Sequence, residues 1–257
     1  MKQITLIPLK TPLIKQGDSI GDILHKSINE LGISIEDQDV IVIAETPVAI
    51  AEGEIVKLKE IIPSERAKDL ARRYQMDPQF VEIIIQESDE VLGGVKGVLL
   101  TRKNDTLIAN GGVDFSNAPP GHVVLFPKKT KKLVHSIKVF LERKFGKKIA
   151  VILGDSRVQP LRRGTIGVAI AVAGMDPVED YRGRKDLYGR ELQITFRALA
   201  DDLVSAAQLL LGEADEQIPA VLIKGVHINL KEKPSHNMAI PKSDCLYMNS
   251  FSKNQDF

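Results

Sequence analysis

Four oxygen-bearing side chains stand where the backbone is most sharply punctuated. Asp114 follows Asn110-Gly111-Gly112, whose glycines permit positive φ and close approach of backbone to a ligand. Asp155 and Ser156 come directly after the apolar run Ile149–Leu153, where the end of a buried strand would hold a side chain rigidly at a crevice. Glu213 lies one residue past Gly212, which stops a helical pattern. Two Asp, a Ser hydroxyl and a Glu suit Mg²⁺ or Mn²⁺, hard ions that prefer oxygen and are typically held by one or two carboxylates plus substrate phosphates. An acid after glycines is equally an ordinary turn former, and spacing alone does not bring the four together.

Other chemistries find less support. The chain has no Walker-type Gly-Lys-Ser/Thr loop, no dinucleotide fingerprint and no His-Glu-x-x-His zinc motif. The histidines His25, His122, His135, His227 and His236 show no ligand spacing, and the single Cys245 cannot form an internal disulfide. That fits a reducing cytoplasm. The run Lys128-Lys129-Thr130-Lys131-Lys132 opens a helix, where the macrodipole disfavours cations, so it reads as a solvated face rather than a phosphate or nucleic-acid grip. Arg157, Arg162 and Arg163 follow Asp155 closely, and arginine forks match phosphate or carboxylate.

The elements that must carry these residues follow from pattern. Met1 to Lys10 reads as a first strand, broken too early by Pro8 and Lys10 for a signal peptide. Asp18 or Ser19 caps a helix with Ile20, Ile23, Leu24, Ile28 and Leu31 at helical spacing, stopped by Gly32. Asp39–Ala44 is a short buried strand, and helices open at Pro63-Ser64-Glu65 and Asp77-Pro78. Val98–Arg102 and Thr106–Ala109 form a hairpin leading into the Asp114 loop. A helix carrying Leu133, Ile137, Phe140 and Leu141 ends near Gly146, and the strand Ile149–Leu153 is left at Gly154-Asp155-Ser156. Ile166–Ala173 is about half the length a bilayer-spanning helix needs and reads as a buried strand. The longest helix is expected over Phe196, Leu199, Leu203, Ala206 and Leu210, followed by strand Ala220–Ile223. Without a regular βαβ cadence, the expectation is a mixed α+β fold over residues 1–226, in one domain or two subdomains, with an irregular tail over 227–257.

Composition sets outer bounds. With 257 residues, 43% hydrophobic and 27% charged, the chain is neither disordered nor membrane-embedded in character. Its 35 Lys+Arg against 34 Asp+Glu leave a net charge of +1, which removes the global argument for a nucleic-acid partner. The absence of Trp argues against a stacked-base or carbohydrate platform.

Several segments together resemble the coenzyme F420-0 γ-glutamyl ligase family. They are Asn110-Gly111-Gly112-Val113-Asp114-x-Ser116-Asn117, Gly154-Asp155-Ser156, and the long block from Asp180-Tyr181-Arg182-Gly183 to Gly189-Arg190-Glu191-Leu192 and Thr195. Ala200-Asp201-Asp202, Leu211-Gly212-Glu213 and Ile218-Pro219-Ala220-Val221 extend the resemblance, which runs from about Pro8 to Val226. The family fold it implies is mixed α+β in an intertwined homodimer, with nucleotide and two divalent metals in a groove. The activity it implies is amide formation: GTP phosphorylates the terminal carboxylate of F420-0, and the amine of L-glutamate displaces phosphate from the acyl phosphate. By matching motif positions, Asp114, Asp155, Ser156 and Glu213 correspond to the metal ligands, with Ser156 in place of threonine. Lys10, Thr11, Pro12, Leu13, Glu45, Asn117, Leu211 and Gly212 fall where the family contacts GTP.

The chain departs from the family pattern at three places. Ala49-Ile50-Ala51-Glu52-Gly53 puts Ile50 where a lysine is usual. Asp155-Ser156-Arg157-Val158-Gln159 lacks the usual glycine and arginine, although Arg157 stands two positions earlier. The basic run at 128–132 replaces an acidic segment. Two readings follow from the resemblance: a ligase using Mg²⁺ or Mn²⁺ with GTP, or a non-catalytic or re-specialised nucleotide- and metal-binding relative. No membrane partner is expected.

Overall fold

The computed structural model describes residues 3–235 and 237–252. Met1, Lys2, His236 and residues 253–257, which the sequence reading touched, lie outside them. In chain order the first elements are strand β1 (Thr5–Leu9), helix α1 (Ile20–Glu30), β2 (Val40–Ala44), α2 (Glu45–Ala51) and β3 (Ile55–Lys57). Then come α3 (Glu65–Tyr74), α4 (Pro78–Glu87), β4 (Glu90–Val95), β5 (Val98–Lys103), β6 (Thr106–Ala109) and β7 (His122–Val124). The remainder is α5 (Thr130–Phe145), β8 (Ala150–Val158), β9 (Thr165–Ala173), β10 (Glu179–Asp180), β11 (Phe196–Arg197), α6 (Leu199–Leu211), β12 (Ala220–Lys224) and α7 (Leu246–Ser252).

The architecture is α+β with mixed sheets. A five-stranded sheet in the order β1-β12-β2-β8-β9 forms its centre, and β2 and β8 are its only parallel neighbours. The β2 and β12 strands are near-continuous runs of Val, Ile, Leu and Ala because both faces are covered. Ile41, Ile43, Val151 and Leu153 pack with α1 and α5 on one face, while Val42, Ile152 and Val221 pack with α6 on the other. Residues 55–126 build a separate cluster, with α3 and α4 burying Ala67, Ala71, Val81 and Ile84 against Leu99 and Val123.

Local chemistry explains the helix starts. Ser19, Ser64 and Asp77 each accept a hydrogen bond from a backbone N–H of their helix's first turn, and Pro78 occupies the position where a missing N–H is harmless. The α2 helix has no such signal: its N-cap is Ala44, with no side-chain cap. It was absent from the sequence reading for that reason.

Three expectations need correction. The β8 strand does not end at Leu153; it continues to Val158, so Asp155 and Ser156 are strand residues rather than the start of a loop. The continuation passes a bulge on β9, where Leu153 opposes Ala171 but Gly154 opposes Ala169. Among the described helices α5 is the longest with 16 residues against 13 for α6, and Phe196 belongs to β11, not to the helix. The segment beyond residue 226 is irregular only in part: Leu230 bridges Met175, Ile228 is buried, and α7 follows.

The α6 helix lies unusually close to β8 and β9. A Cβ on Gly154 would sit 2.3 Å from Val204 Cγ1, and one on Gly167 would sit 2.6 Å from the Val204 carbonyl carbon. Glycine at both positions is what lets the helix seat against the strands that carry Asp155 and Ser156.

Candidate functional site

The geometry of the site begins with the parallel pair. Ala44 opposes Gly154 in the last parallel pair, so the next residues, Glu45 and Asp155, come where β2 ends and β8 runs on past it. Outside the ends of parallel strands is where α/β sheets characteristically receive ligands. A cleft of about 1460 Å³ opens there. It is lined by Thr11, Pro12, Leu13, Glu45, Asp114, Asn117, Asp155, Ser156, Leu211, Gly212 and Glu213. Of the twelve residues singled out beforehand, Lys10 alone is not on its wall; the Lys10 carbonyl instead accepts the Ser27 hydroxyl at 2.9 Å.

Asp155 and Ser156 alternate along β8 and meet different partners. Asp155 Oδ2 accepts from Arg157 Nε at 3.0 Å, two residues on and therefore on the same face. Arg162 and Arg163 remain exposed on the following turn. Ser156 Oγ donates to Glu213 Oε2 at 3.2 Å, Thr165 Oγ1 donates to Glu213 Oε1 at 2.9 Å, and Gln208 also donates to that carboxylate. Thr165 and Gln208 carried no signal in the sequence, since a single polar residue on a strand or helix says nothing about which carboxylate it will meet.

Asp114 is set by its own loop. Its Oδ1 accepts from the Ser116 N–H at 3.0 Å and the Ser116 hydroxyl at 3.1 Å, while its backbone pairs with Val124 in both directions. The preceding turn is anchored to β5: Asn110 Oδ1 accepts from the Leu99 N–H, and the Gly111 N–H donates to Thr101 Oγ1, both at 2.9 Å. Asn117 Nδ2 reaches the Ala214 carbonyl at 3.4 Å, joining this loop to the one after α6.

Electrostatically the site is crowded with acid. Burial pushes the Glu45 carboxyl up to about 8, helped by the charges of Asp155 and Asp114 and opposed by the Thr46 hydroxyl and Arg157. Burial also raises Asp155 above the usual carboxylate range, outweighing its ion pair with Arg157. Asp201 is raised by burial too, although it accepts the Ala169 N–H at 2.8 Å beside the β9 bulge.

The donor set is oxygen throughout, which suits a hard divalent cation and disfavours softer metals. Among the described residues no three His, Cys, Asp or Glu side chains are assembled to hold one ion. The acids instead divide into Glu45, which feels the charges of Asp155 and Asp114, and Glu213, which accepts from the Ser156 hydroxyl. Such partial shells fit ions completed by substrate phosphate and water rather than a closed structural site.

The sequence model of the family described as F420-0:Gamma-glutamyl ligase matches residues 8–225. This chain belongs to that family. Among its relatives is the coenzyme F420:L-glutamate ligase of Methanothermobacter thermautotrophicus, 41% identical over 215 residues, which span 83% of this chain and 85% of that protein. Another is the enzyme of the same name from Methanocaldococcus jannaschii, 36% identical over 249 residues, 96% of this chain and 98% of its own length. The Methanopyrus kandleri coenzyme F420:L-glutamate ligase is 38% identical over 244 residues, 94% of each chain. The matched span includes Asp114, Asp155 and Glu213, which line the one cleft. No helix among its described residues is long and apolar enough to cross a membrane.

Proposed function

We propose that the chain is a GTP-dependent ligase that joins L-glutamate to the terminal carboxylate of coenzyme F420-0. The observation that carries this reading is the gathering of Glu45, Asp114, Asp155, Ser156 and Glu213 on one cleft, in a chain of the F420-0:gamma-glutamyl ligase family. In the reaction, a carboxylate oxygen of F420-0 forms a bond to the γ-phosphorus as the β–γ bridging P–O bond breaks and GDP leaves. The glutamate amine then attacks the acyl carbon, the C–O bond to phosphate breaks, and the amine gives up a proton.

Bound Mg²⁺ or Mn²⁺, two ions in this reading, would neutralise phosphate charge and align the reacting oxygens. Asp114 and Asp155 would hold one ion near Glu45, and Glu213, oriented by Ser156, Thr165 and Gln208, would hold the other. Thr11, Pro12, Leu13, Asn117, Leu211 and Gly212 form the nucleotide's wall. Arg157 already pairs with Asp155, so its charge is spent within the carboxylate group rather than aimed at phosphate.

The reading extends to a homodimer. Between β10 and β11 the chain runs out as an arm with Leu187, Tyr188 and Ile194 almost fully exposed, an apolar cluster that a second copy would cover. The reading puts the enzyme in a reducing cytoplasm, which suits a chain whose single cysteine, Cys245, has no partner for an internal disulfide.

Incubation with F420-0, L-glutamate, GTP and Mn²⁺ is expected to release GDP over many turnovers only when all four are present; without glutamate, release stops at about one equivalent per site. No release, beside an active family member as control, would overturn the ligase reading. Because Ile50 occupies the cleft wall where the family usually carries lysine, GTP binding in calorimetry without GDP release would favour the non-catalytic relative instead.

A further inference from the structure

We infer that α7 and the outer face of the β4-β5-β6 sheet form the subsite for the acceptor's body, and that Tyr247 and Met248 help set acceptor specificity. The inference rests on the ligase reading above and deepens it. A single drug-sized ligand typically fills roughly 300–1,000 Å³. The cleft, at about 1460 Å³, has room for a nucleotide and a second sizeable molecule. Its oxygen ligands come from β8, the Asp114 loop and the turn after α6, which leaves the acceptor's non-reacting part to the apolar remainder.

That remainder is identifiable from strand alternation. Along β5, Leu99 and Thr101 face the buried cluster and are 0% exposed, whereas Leu100 points the other way, is 40% exposed and lines the cleft. An antiparallel sheet with one solvated face ordinarily turns polar residues outward, so a leucine there is the departure. Leu107 on β6 lines the cleft as well.

The tail delivers two further side chains to the same cleft. It is pinned to the central sheet by the Met175–Leu230 bridge and by the Ser235 N–H on Asp176 Oδ1 at 2.8 Å. It then reaches the other unit, where Lys242 Nζ meets Glu90 Oε2 on β4 at 2.9 Å; the same carboxylate oxygen holds Arg102 of β5. This anchor ties the chain to β4 four residues before α7 begins, and Tyr247 and Met248 of α7 line the cleft although the family match ends at residue 225. A half-exposed tyrosine, a polarisable thioether and two leucines lining one cleft suit a flat, largely apolar body whose carboxylate extends toward Asp155.

The test titrates F420-0, and separately Mn²⁺–GTP, into the wild-type chain, Tyr247→Ala and Leu100→Gln by calorimetry, with KM for each substrate measured in parallel. The expected result is about tenfold weaker F420-0 binding in each variant, with Mn²⁺–GTP affinity and kcat within about twofold of wild type. Unchanged F420-0 affinity in both variants, with wild type binding and turning over, overturns the subsite alone. Weakened GTP binding with intact F420-0 binding also overturns it, by giving this wall to the nucleotide. Wild type that binds no F420-0 ends both the subsite and the ligase reading. Both side chains are exposed, so unchanged thermal unfolding of the variants is expected and separates loss of contact from loss of fold.

Discussion

Glu45 and Glu213 face the same cleft under opposite conditions. Glu45 is set against two other carboxylates, Asp155 and Asp114, with one hydroxyl donor, and burial with their charge drives its carboxyl up to about 8. Glu213 is met by three donors, from Ser156, Thr165 and Gln208. The first side of the cleft is a concentration of negative charge that a cation would relieve; the second is a carboxylate already oriented by its neighbours. Charge demand comes from the region where β2 leaves β8, and geometric preorganisation from β9 and α6 with Ser156 of β8.

The comparison is broken most severely at Asp155. Asp155→Asn keeps the shape but removes the ligand charge, and Mn²⁺-dependent GTP binding in calorimetry is expected to weaken by more than about 100-fold while the circular dichroism spectrum stays native. Normal Mn²⁺–GTP binding by this variant would show that the acidic side is not the metal side.

The pH dependence of metal-free stability comes next. Glu45 has a folded pKa near 8 against an ordinary 4.5, so the folded state binds its proton more tightly than the unfolded state. Stability is therefore highest below about pH 4.5 with respect to this group and is lost as pH rises toward 8, at up to about 1.4 kcal/mol per pH unit. Glu45→Gln should flatten that decline in chelator-treated protein, and Mn²⁺ should diminish it in the wild type; a thermal-melt series from pH 5 to 8.5 reads both. A wild-type profile with no decline over this range would remove the charge-crowding argument.

On the preorganised side the effects are smaller. Gly212 holds φ 73°, ψ −170°, a region essentially confined to glycine, and a Cβ there would meet the Glu216 carboxylate. Gly212→Ala is expected to cost about 1–3 kcal/mol in chemical denaturation and to misplace Glu213 next door. Ser156→Ala removes one of three donors to Glu213, so metal-supported GTP affinity should fall by about tenfold or less. A loss as large as that of Asp155→Asn would mean that Ser156 ligates directly instead of orienting Glu213.

How far the molecule could be read beforehand depended on whether a signal was local. The helices beginning after Ser19, Ser64 and Asp77 were legible because cap, proline and apolar spacing all lie within a few residues. Glu45 was matched to the nucleotide site by resemblance, but α2, which begins with it, was missed because Ala44 provides no cap. The end of β8 was misplaced by five residues because Gly154-Asp155-Ser156 has the composition of a turn. Pairing with β9 across a bulge, and the close seat of α6 on Gly154 and Gly167, hold it extended.

By itself the sequence determined the repertoire of oxygen ligands, the neutral overall charge, the α+β alternation and the motifs that mark the family, because each of these is a matter of residue type and short spacing. Only the tertiary structure decided that Glu45 and Asp155 stand together, that Glu213 is held by Thr165 and Gln208, and that a segment beyond the family match reaches the cleft. Those facts depend on which strands pair in parallel and in what register, and on where a helix can approach a sheet. Apart from Gln208 and Glu213, which are five positions apart, these contacts join residues tens to more than a hundred positions apart, for which a single chain's local pattern holds no record.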